Sequence, residues 1–186
     1  RLFNKKNLNV LMNIYLIGFM GAGKSTIGAA LAHRLGYDWV DTDQLIEQQE
    51  QQSISNIFAE KGEIYFRQLE KNILEQNLAT KTQLVVATGG GMPCFFDNLA
   101  TMQQQGITIY LDVQPAILAQ RLWQQKAQRP IIANCTTFDE LLYSIEQRLA
   151  QRQIYYEQAQ YRIDAEQNIE QIIVTISYFI RLKKTR

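Results

Sequence analysis

Short apolar runs alternate with longer stretches whose apolar positions recur every three or four residues, and this alternation sets the architecture of the chain. The runs rich in β-branched and aromatic residues, Ile14 to Ile17, Asp38 to Asp41, Leu84 to Ala87, Ile107 to Leu111 and Tyr161 to Asp164, read as strands. Helical patterns fill the gaps. The first runs from Lys24 to Leu35 and stops at Gly36, a later one begins near Gln114-Pro115, where proline suits the first turn, and the longest spans roughly Phe138 to Gln158. Strands that alternate with helices imply a parallel sheet, the α/β class. The glutamine-rich patches, Gln48 to Gln52 and Gln103 to Gln105, each lie at a helix or its end and read as solvated helix surface. There is no internal repeat and no proline-rich linker.

Composition narrows the picture. A chain of 186 residues that is 46% hydrophobic suits one domain with ample apolar surface for a core. Its 19 basic and 18 acidic residues are spread along the chain and leave a net charge of +1, which is not the electrostatic footprint of a nucleic-acid binder. Cys94 and Cys135 are far apart and the single histidine, His33, falls opposite the Ile27, Leu31, Leu35 stripe, so a zinc site or a Ser-His-Asp triad is not expected. No apolar run approaches a membrane span and the start is too polar for a signal peptide, so a soluble, cytoplasmic monomer is expected. Residues 1 to 11 precede the first strand and are expected to carry no function. Residues 12 to 182 form one domain in this reading, and 183 to 186 fray.

Chemistry enters at Gly18-Phe19-Met20-Gly21-Ala22-Gly23-Lys24-Ser25-Thr26, directly after the first strand and opening the first helix. This is the GxxxxGK[ST] phosphate-binding pattern. Glycines let backbone N–H groups close around phosphate oxygens, the helix points its positive end there, Lys24 reaches the outer phosphates and Ser25 ligates Mg²⁺.

In an open parallel sheet, ligands bind beyond the carboxyl ends of the strands. Four of the five predicted ends are chemically loaded: the phosphate loop, Asp41-Thr42-Asp43, Thr88-Gly89-Gly90-Gly91 and Leu111-Asp112. Asp43 reads either as the cap of a Gln44 to Glu50 helix or as a group that accepts or orients a substrate hydroxyl. Asp41 reads as a member of the Mg²⁺ shell through water, since magnesium takes few protein oxygens. Asp112 reads as a cap for the helix near Pro115. The triple glycine clears side chains where another molecule must approach the backbone closely.

Taken together, Gly18 to Thr26, Val40 to Asp43, Ile57-Phe58, Phe66-Arg67-Gln68-Leu69-Glu70, Gly89-Gly90-Gly91 and Arg129-Pro130 follow one another in an order that resembles the shikimate kinases. The resemblance covers about residues 13 to 180. It implies a P-loop fold like that of nucleoside monophosphate kinases, a three-layer sandwich with a five-stranded parallel sheet in the order 2-3-1-4-5 and a mobile lid. The implied reaction is transfer of a phosphoryl group from ATP, with one Mg²⁺, to the 3-hydroxyl of shikimate in aromatic amino-acid biosynthesis.

The family's roles map onto this chain by position. Gly21, Ala22, Gly23, Lys24, Ser25 and Thr26 match the ATP-binding loop, and Asp43 matches the aspartate that meets the reactive hydroxyl. Arg67 and Arg152 match the arginines that grip the substrate carboxylate, a task for which a planar guanidinium offers two parallel hydrogen bonds. Glu70, three residues after Arg67, is placed to hold that fork, although an ordinary surface pair would show the same spacing. Gly90 and Gly91 match the loop that offers N–H groups to the substrate. Ile54, Phe58 and Phe66 resemble its apolar wall and equally suit a plain core. The segment 124 to 136 resembles the lid, with Arg129 reaching the ATP phosphates. Arg121 and Gln167 fall where adenine contacts are placed, although the interval from Arg121 to Arg129 is one residue longer than the family pattern. A gluconate kinase would share the loop and fold but not the combination of Arg67, the triple glycine and Arg152. A guanine-reading switch is disfavoured by the absence of an NKxD motif.

Overall fold

The computed structural model describes residues 12–124 and 135–184. The expected N-terminal extension, most of the expected lid, Arg129 and Pro130 lie outside the described residues. The element order is β1 (Asn13–Ile17), α1 (Lys24–Leu35), β2 (Asp38–Asp41), α2 (Thr42–Glu50), α3 (Ile54–Asn72), β3 (Leu84–Ala87), α4 (Asn98–Gln105), β4 (Gly106–Asp112), α5 (Pro115–Trp123), α6 (Phe138–Tyr156), β5 (Tyr161–Asp164) and α7 (Ile169–Lys184). A π-helical turn, Ile73–Leu78, prolongs α3, and a 3₁₀ turn, Met92–Cys94, follows the triple glycine.

All strand pairs are parallel, and the sheet order is β2-β3-β1-β4-β5, the expected 2-3-1-4-5. Register follows from pairs such as Ile14 opposite both Val85 and Ile107. The inner strands β1 and β3 are buried along their whole length, which is why they read as unbroken apolar runs rather than alternating ones. The edge strand β2 is only partly covered, and its sequence, DWVD, carries an acid at each end. α1 packs against β2, β3 and α7, and α4 packs against β4, the 3₁₀ turn and the π-helical turn.

Local sequence explains most boundaries. Gly36 takes a left-handed conformation (φ 70°) and ends α1. Thr137 and Glu140 form a reciprocal capping box that starts α6. Inside α3, Gly62 adopts φ 78° and ψ 173°, so the element is two helical pieces meeting at a kink.

Three expectations need correction. Asp41, not Asp43, caps α2: its Oδ1 accepts from the backbone N–H groups of Asp43 and Gln44 at 3.0 and 3.3 Å, so the helix starts two residues earlier than read. Asp112 does not cap α5, whose N-cap is Gln114; its carboxylate accepts from the Tyr110 hydroxyl and the Arg162 guanidinium instead. The C-terminal helix continues through Lys184, past the Leu182 expected to end the ordered domain, and Lys183 Nζ donates to the Gly106 carbonyl at 3.2 Å.

Candidate active site

Three of the four loaded strand ends meet in one cleft of about 670 Å³, and Leu111-Asp112 does not line it. On one side lie Gly21, Ala22, Gly23, Lys24, Ser25 and Thr26, with Arg121 and Gln167 beyond them. Asp41 bonds Ser25 and neighbours Asp43, and Arg67, Gly90, Gly91 and Arg152 complete the lining, with Gly90 reaching back to the loop, where a Cβ on it would lie 3.3 Å from the Met20 nitrogen.

The phosphate loop depends on backbone shapes that side chains oppose. Gly18, Gly21 and Gly23 have φ of 142°, 81° and 91°, and a Cβ on Gly18 would stand 2.7 Å from the Leu111 carbonyl oxygen. Lys24 folds across this loop, its ammonium donating to the carbonyls of Gly18 and Phe19 at 2.7 and 2.9 Å. Ser25 Oγ donates to Asp41 Oδ2 at 2.6 Å. Asp41 therefore divides its oxygens between capping α2 and holding the serine. A hydroxyl and a carboxylate side by side at the mouth of the loop are the hard oxygen donors that magnesium favours. Among the described residues there is no cluster of three or more His, Cys, Asp or Glu that could hold a metal on its own. On the nucleotide side, Arg121 Nη1 donates to the Gly21 carbonyl at 3.1 Å, and the exposed Gln167 amide reaches only Asp164.

The far side is organised around a buried arginine. Arg67 is 5% exposed and Glu70 is fully buried. Arg67 Nη1 donates to Glu70 Oε2 at 2.7 Å, while Nε and Nη2 donate to Glu63 Oε1 at 3.1 and 2.8 Å. Its guanidinium carbon also lies 4.2, 5.2 and 5.9 Å from the ring centroids of Phe95, Phe66 and Phe58. Phe66 and Phe58 thus serve both as apolar packing and as a wall for the arginine. Arg152, on α6, lies 5.4 Å from the Phe19 ring.

Burial raises the Glu70 carboxyl to about 7; the Arg67 charge opposes the rise and the Asp43 charge adds to it. Glu70 Oε1 has no hydrogen-bond partner among the described residues. A Cβ on Gly89 would stand 2.6 Å from that oxygen and 2.7 Å from Asp43 Oδ1, so two carboxylates press on one glycine. Gly89 is fixed there by its N–H, which donates to the buried Thr42 hydroxyl at 2.8 Å. A Cβ on Gly91 would meet both terminal nitrogens of Arg67 at 2.7 Å. The triple glycine therefore clears space for the protein's own charged groups as much as for a ligand.

Comparison with known proteins places this geometry in a family. The family model for shikimate kinase matches residues 20–181. The chain belongs to the shikimate kinase family. A shikimate kinase of Bacteroides fragilis is 44% identical over 151 residues, covering 81% of this chain and 83% of that protein. The structure of shikimate kinase from Bacteroides thetaiotaomicron superposes with a TM-score of 0.86 at 38% identity, covering 91% of this chain and 98% of that one. The shikimate kinase from Acinetobacter baumannii, solved in complex with shikimate, gives a TM-score of 0.87 at 32% identity over 98% of this chain and the whole of that one. A gluconokinase from Sinorhizobium meliloti, at 16% identity and a TM-score of 0.53, shares the fold alone.

Sequence reasoning gave no role to three residues of this shikimate kinase site, although Thr42 and Tyr156 lie within the motifs it read. Glu63 precedes Arg67 by four positions, a spacing that signals a helical pair without saying that it would clamp a buried cation. Thr42 sits between the two aspartates and anchors Gly89. Tyr156 follows Arg152 by four positions and is fully buried against the glycine loop. No described helix is long and apolar enough to cross a membrane.

Proposed function

We propose that this shikimate kinase family member transfers the γ-phosphoryl group of ATP to the 3-hydroxyl of shikimate, giving shikimate 3-phosphate and ADP for aromatic amino-acid biosynthesis. One observation carries the residue assignment: one cleft joins a phosphate-binding loop, Asp43 and a buried, doubly clamped arginine, with Asp43 beside the Ser25-bound Asp41 and, like the Arg67-bound Glu70, against Gly89. That order of groups suits an acceptor with a hydroxyl at one end and a carboxylate at the other.

The acceptor acid lies with its carboxylate toward Arg67 and Arg152, where planar forks give orientation as well as charge. Fixing the acid end aims the hydroxyl at the phosphate loop. Asp43 accepts the hydroxyl proton as the hydroxyl oxygen forms its bond to the γ-phosphorus and the bond to the ADP oxygen breaks. Lys24 and the backbone N–H groups of Gly21, Ala22, Gly23, Ser25 and Thr26 stabilise charge on the transferring group. Ser25 and Asp41 have the donor chemistry to hold Mg²⁺, which would neutralise charge on the bound phosphates. Arg121 and Gln167 flank the nucleotide, and Arg129, outside the described residues, retains its expected role on the ATP phosphates. Most of the rate comes from positioning, since the reaction has no covalent protein intermediate. The same reading takes the enzyme as a cytoplasmic monomer.

A coupled ADP-release assay with Mg-ATP tests the proposal, comparing shikimate with gluconate, nucleoside monophosphates and no acceptor. Turnover dependent on shikimate supports it. Folded protein that binds ATP but ignores shikimate and phosphorylates another acceptor rejects it.

A further inference from the structure

Tyr156 stands apart from the groups assigned so far. It ends α6, one helical turn after Arg152, and is fully buried, yet its hydroxyl is not left in the core. The phenol donates to the Gly90 carbonyl at 2.5 Å, and its ring stacks on Tyr110 with centroids 5.1 Å apart at 28°. Burial raises the phenol's pKa far above its usual value, with the Arg152 charge opposing the rise, so the group stays a proton donor.

The consequence lies in peptide geometry. The peptide bond between Gly90 and Gly91 is trans, so the Gly90 carbonyl and the Gly91 N–H belong to one rigid unit and point in opposite directions. Holding the carbonyl therefore fixes where the Gly91 N–H aims. That unit sits between the two arginines. A Cβ on Gly90 would be 3.5 Å from Arg152 Nη1, and one on Gly91 would be 2.7 Å from the Arg67 fork. Glycine at both positions gives the peptide unusual freedom to rotate, and no side chain of its own restrains it. The neighbouring bonds, Met92 N–H to the Gly89 carbonyl and Cys94 N–H to the Gly91 carbonyl, leave the Gly90 carbonyl to the phenol.

We propose that Tyr156 is a positioning residue for the acceptor. Its hydroxyl locks the peptide between Gly90 and Gly91 in the orientation that presents N–H to the acid held by Arg67 and Arg152. This rests on the shikimate kinase reading. It also accounts for a buried tyrosine where phenylalanine would pack equally well against Tyr110.

The test is Tyr156→Phe, which keeps the ring stack and removes the hydroxyl's bond to the Gly90 carbonyl together with its contact to Arg152, so the Gly91 amide signal below is what isolates the peptide. Wild type must first show turnover with shikimate; failure there removes the functional reading and not the contact. The variant should raise the KM for shikimate by about fivefold, as expected for one lost hydrogen bond, while the KM for ATP and the melting temperature hold nearly constant. The amide nitrogen of Gly91 should shift in the ¹⁵N spectrum of the free protein, because the polarised carbonyl shares its peptide, and this reads out independently of activity. Tyr110→Phe, which removes the other hydroxyl of the stacked pair, should leave both unchanged. An unmoved Gly91 signal, an unchanged KM for shikimate in active protein, or an equal loss for both substrates matched by Tyr110→Phe overturns the proposal. A Tyr156→Phe chain that fails to fold overturns it too, since the residue would then be structural.

Discussion

Replacing Gly89 by alanine separates chemistry from folding. The backbone there is not left-handed, so the added methyl meets no conformational objection, only atoms. It would lie 2.6 Å from Glu70 Oε1 and 2.7 Å from Asp43 Oδ1, so each oxygen must retreat by roughly 0.8 Å or more to regain ordinary contact. Glu70 cannot give way easily: it is fully buried and bonded to Arg67 at 2.7 Å. Asp43 therefore yields. A displacement near 1 Å at a reacting group lowers the rate by about a hundredfold, so kcat should fall by about ten- to a hundredfold. Nothing in the phosphate loop lies against the new methyl, so the KM for ATP should hold. Overpacking of this size costs about 1–3 kcal/mol, which lowers the melting temperature by about 2–12 °C in a domain of this size.

Two other glycines calibrate the measurement. Gly91→Ala drives its methyl into the Arg67 guanidinium and should raise the KM for shikimate more than it lowers kcat. Gly106→Ala places a carbon 2.1 Å from the Asn13 backbone oxygen at the β1–β4 pairing, where no side chain can move aside, and should cost the fold itself. Steady-state kinetics on both substrates, with a thermal melt for each variant, tells the three apart. A folded Gly89→Ala enzyme with kcat within about twofold of wild type would refute the reasoning, since it would mean that Asp43 tolerates displacement or plays no part in transfer.

Three further outcomes follow. Lys24→Met should abolish turnover, by about a thousandfold or more, in protein that still folds and binds shikimate by calorimetry. Arg67→Ala should raise the KM for shikimate at least about tenfold, and Arg67→Lys should recover little of it, because an ammonium cannot replace the fork held by Glu63 and Glu70; full recovery by lysine would reject the bidentate role. Glu70 has a folded pKa near 7, above its ordinary 4.5, so its share of stability is complete below the ordinary value and is lost as pH rises through 7. Urea unfolding between about pH 4 and 8 should therefore show wild type declining relative to Glu70→Gln by on the order of 3 kcal/mol, and parallel curves would rule this out.

What the sequence made legible divides along physical lines. The strands lie within a residue of their predicted bounds, because β-branched runs between glycine and polar breaks admit few other readings. The phosphate loop was legible because Gly18, Gly21 and Gly23 hold backbone shapes that other residues resist. Asp43 stayed open between cap and hydroxyl-binding group because Asp41 and Asp43 are chemically equivalent in a one-dimensional reading, and only the chain's turn into the helix shows that Asp41 is the cap. Spacing alone left Arg67 open to the reading of a surface cation, and only the resemblance placed it at the substrate carboxylate. Its surroundings, Phe95 from beyond β3 and two carboxylates converging from one helix, are not encoded in periodicity.

The two halves of the cleft are built on different principles. The nucleotide half uses backbone: glycine conformations, loop N–H groups and a helix start, which cost little to desolvate because the groups are neutral dipoles. The acceptor half buries formal charge. A buried ion pair is poor support for stability, since desolvating both ions offsets most of their attraction, and leaving Glu70 Oε1 without a partner makes this one worse. Its value is geometric. Glu63 and Glu70 hold the Arg67 fork from two edges, the phenylalanines hold its plane, and the glycines leave it room, so little rotamer entropy remains to be lost when a carboxylate arrives. Alternative acids that place a hydroxyl differently would meet the same rigid fork and present that hydroxyl away from Asp43. Discrimination would then appear in kcat as well as in KM, a signature that a loose surface arginine could not produce.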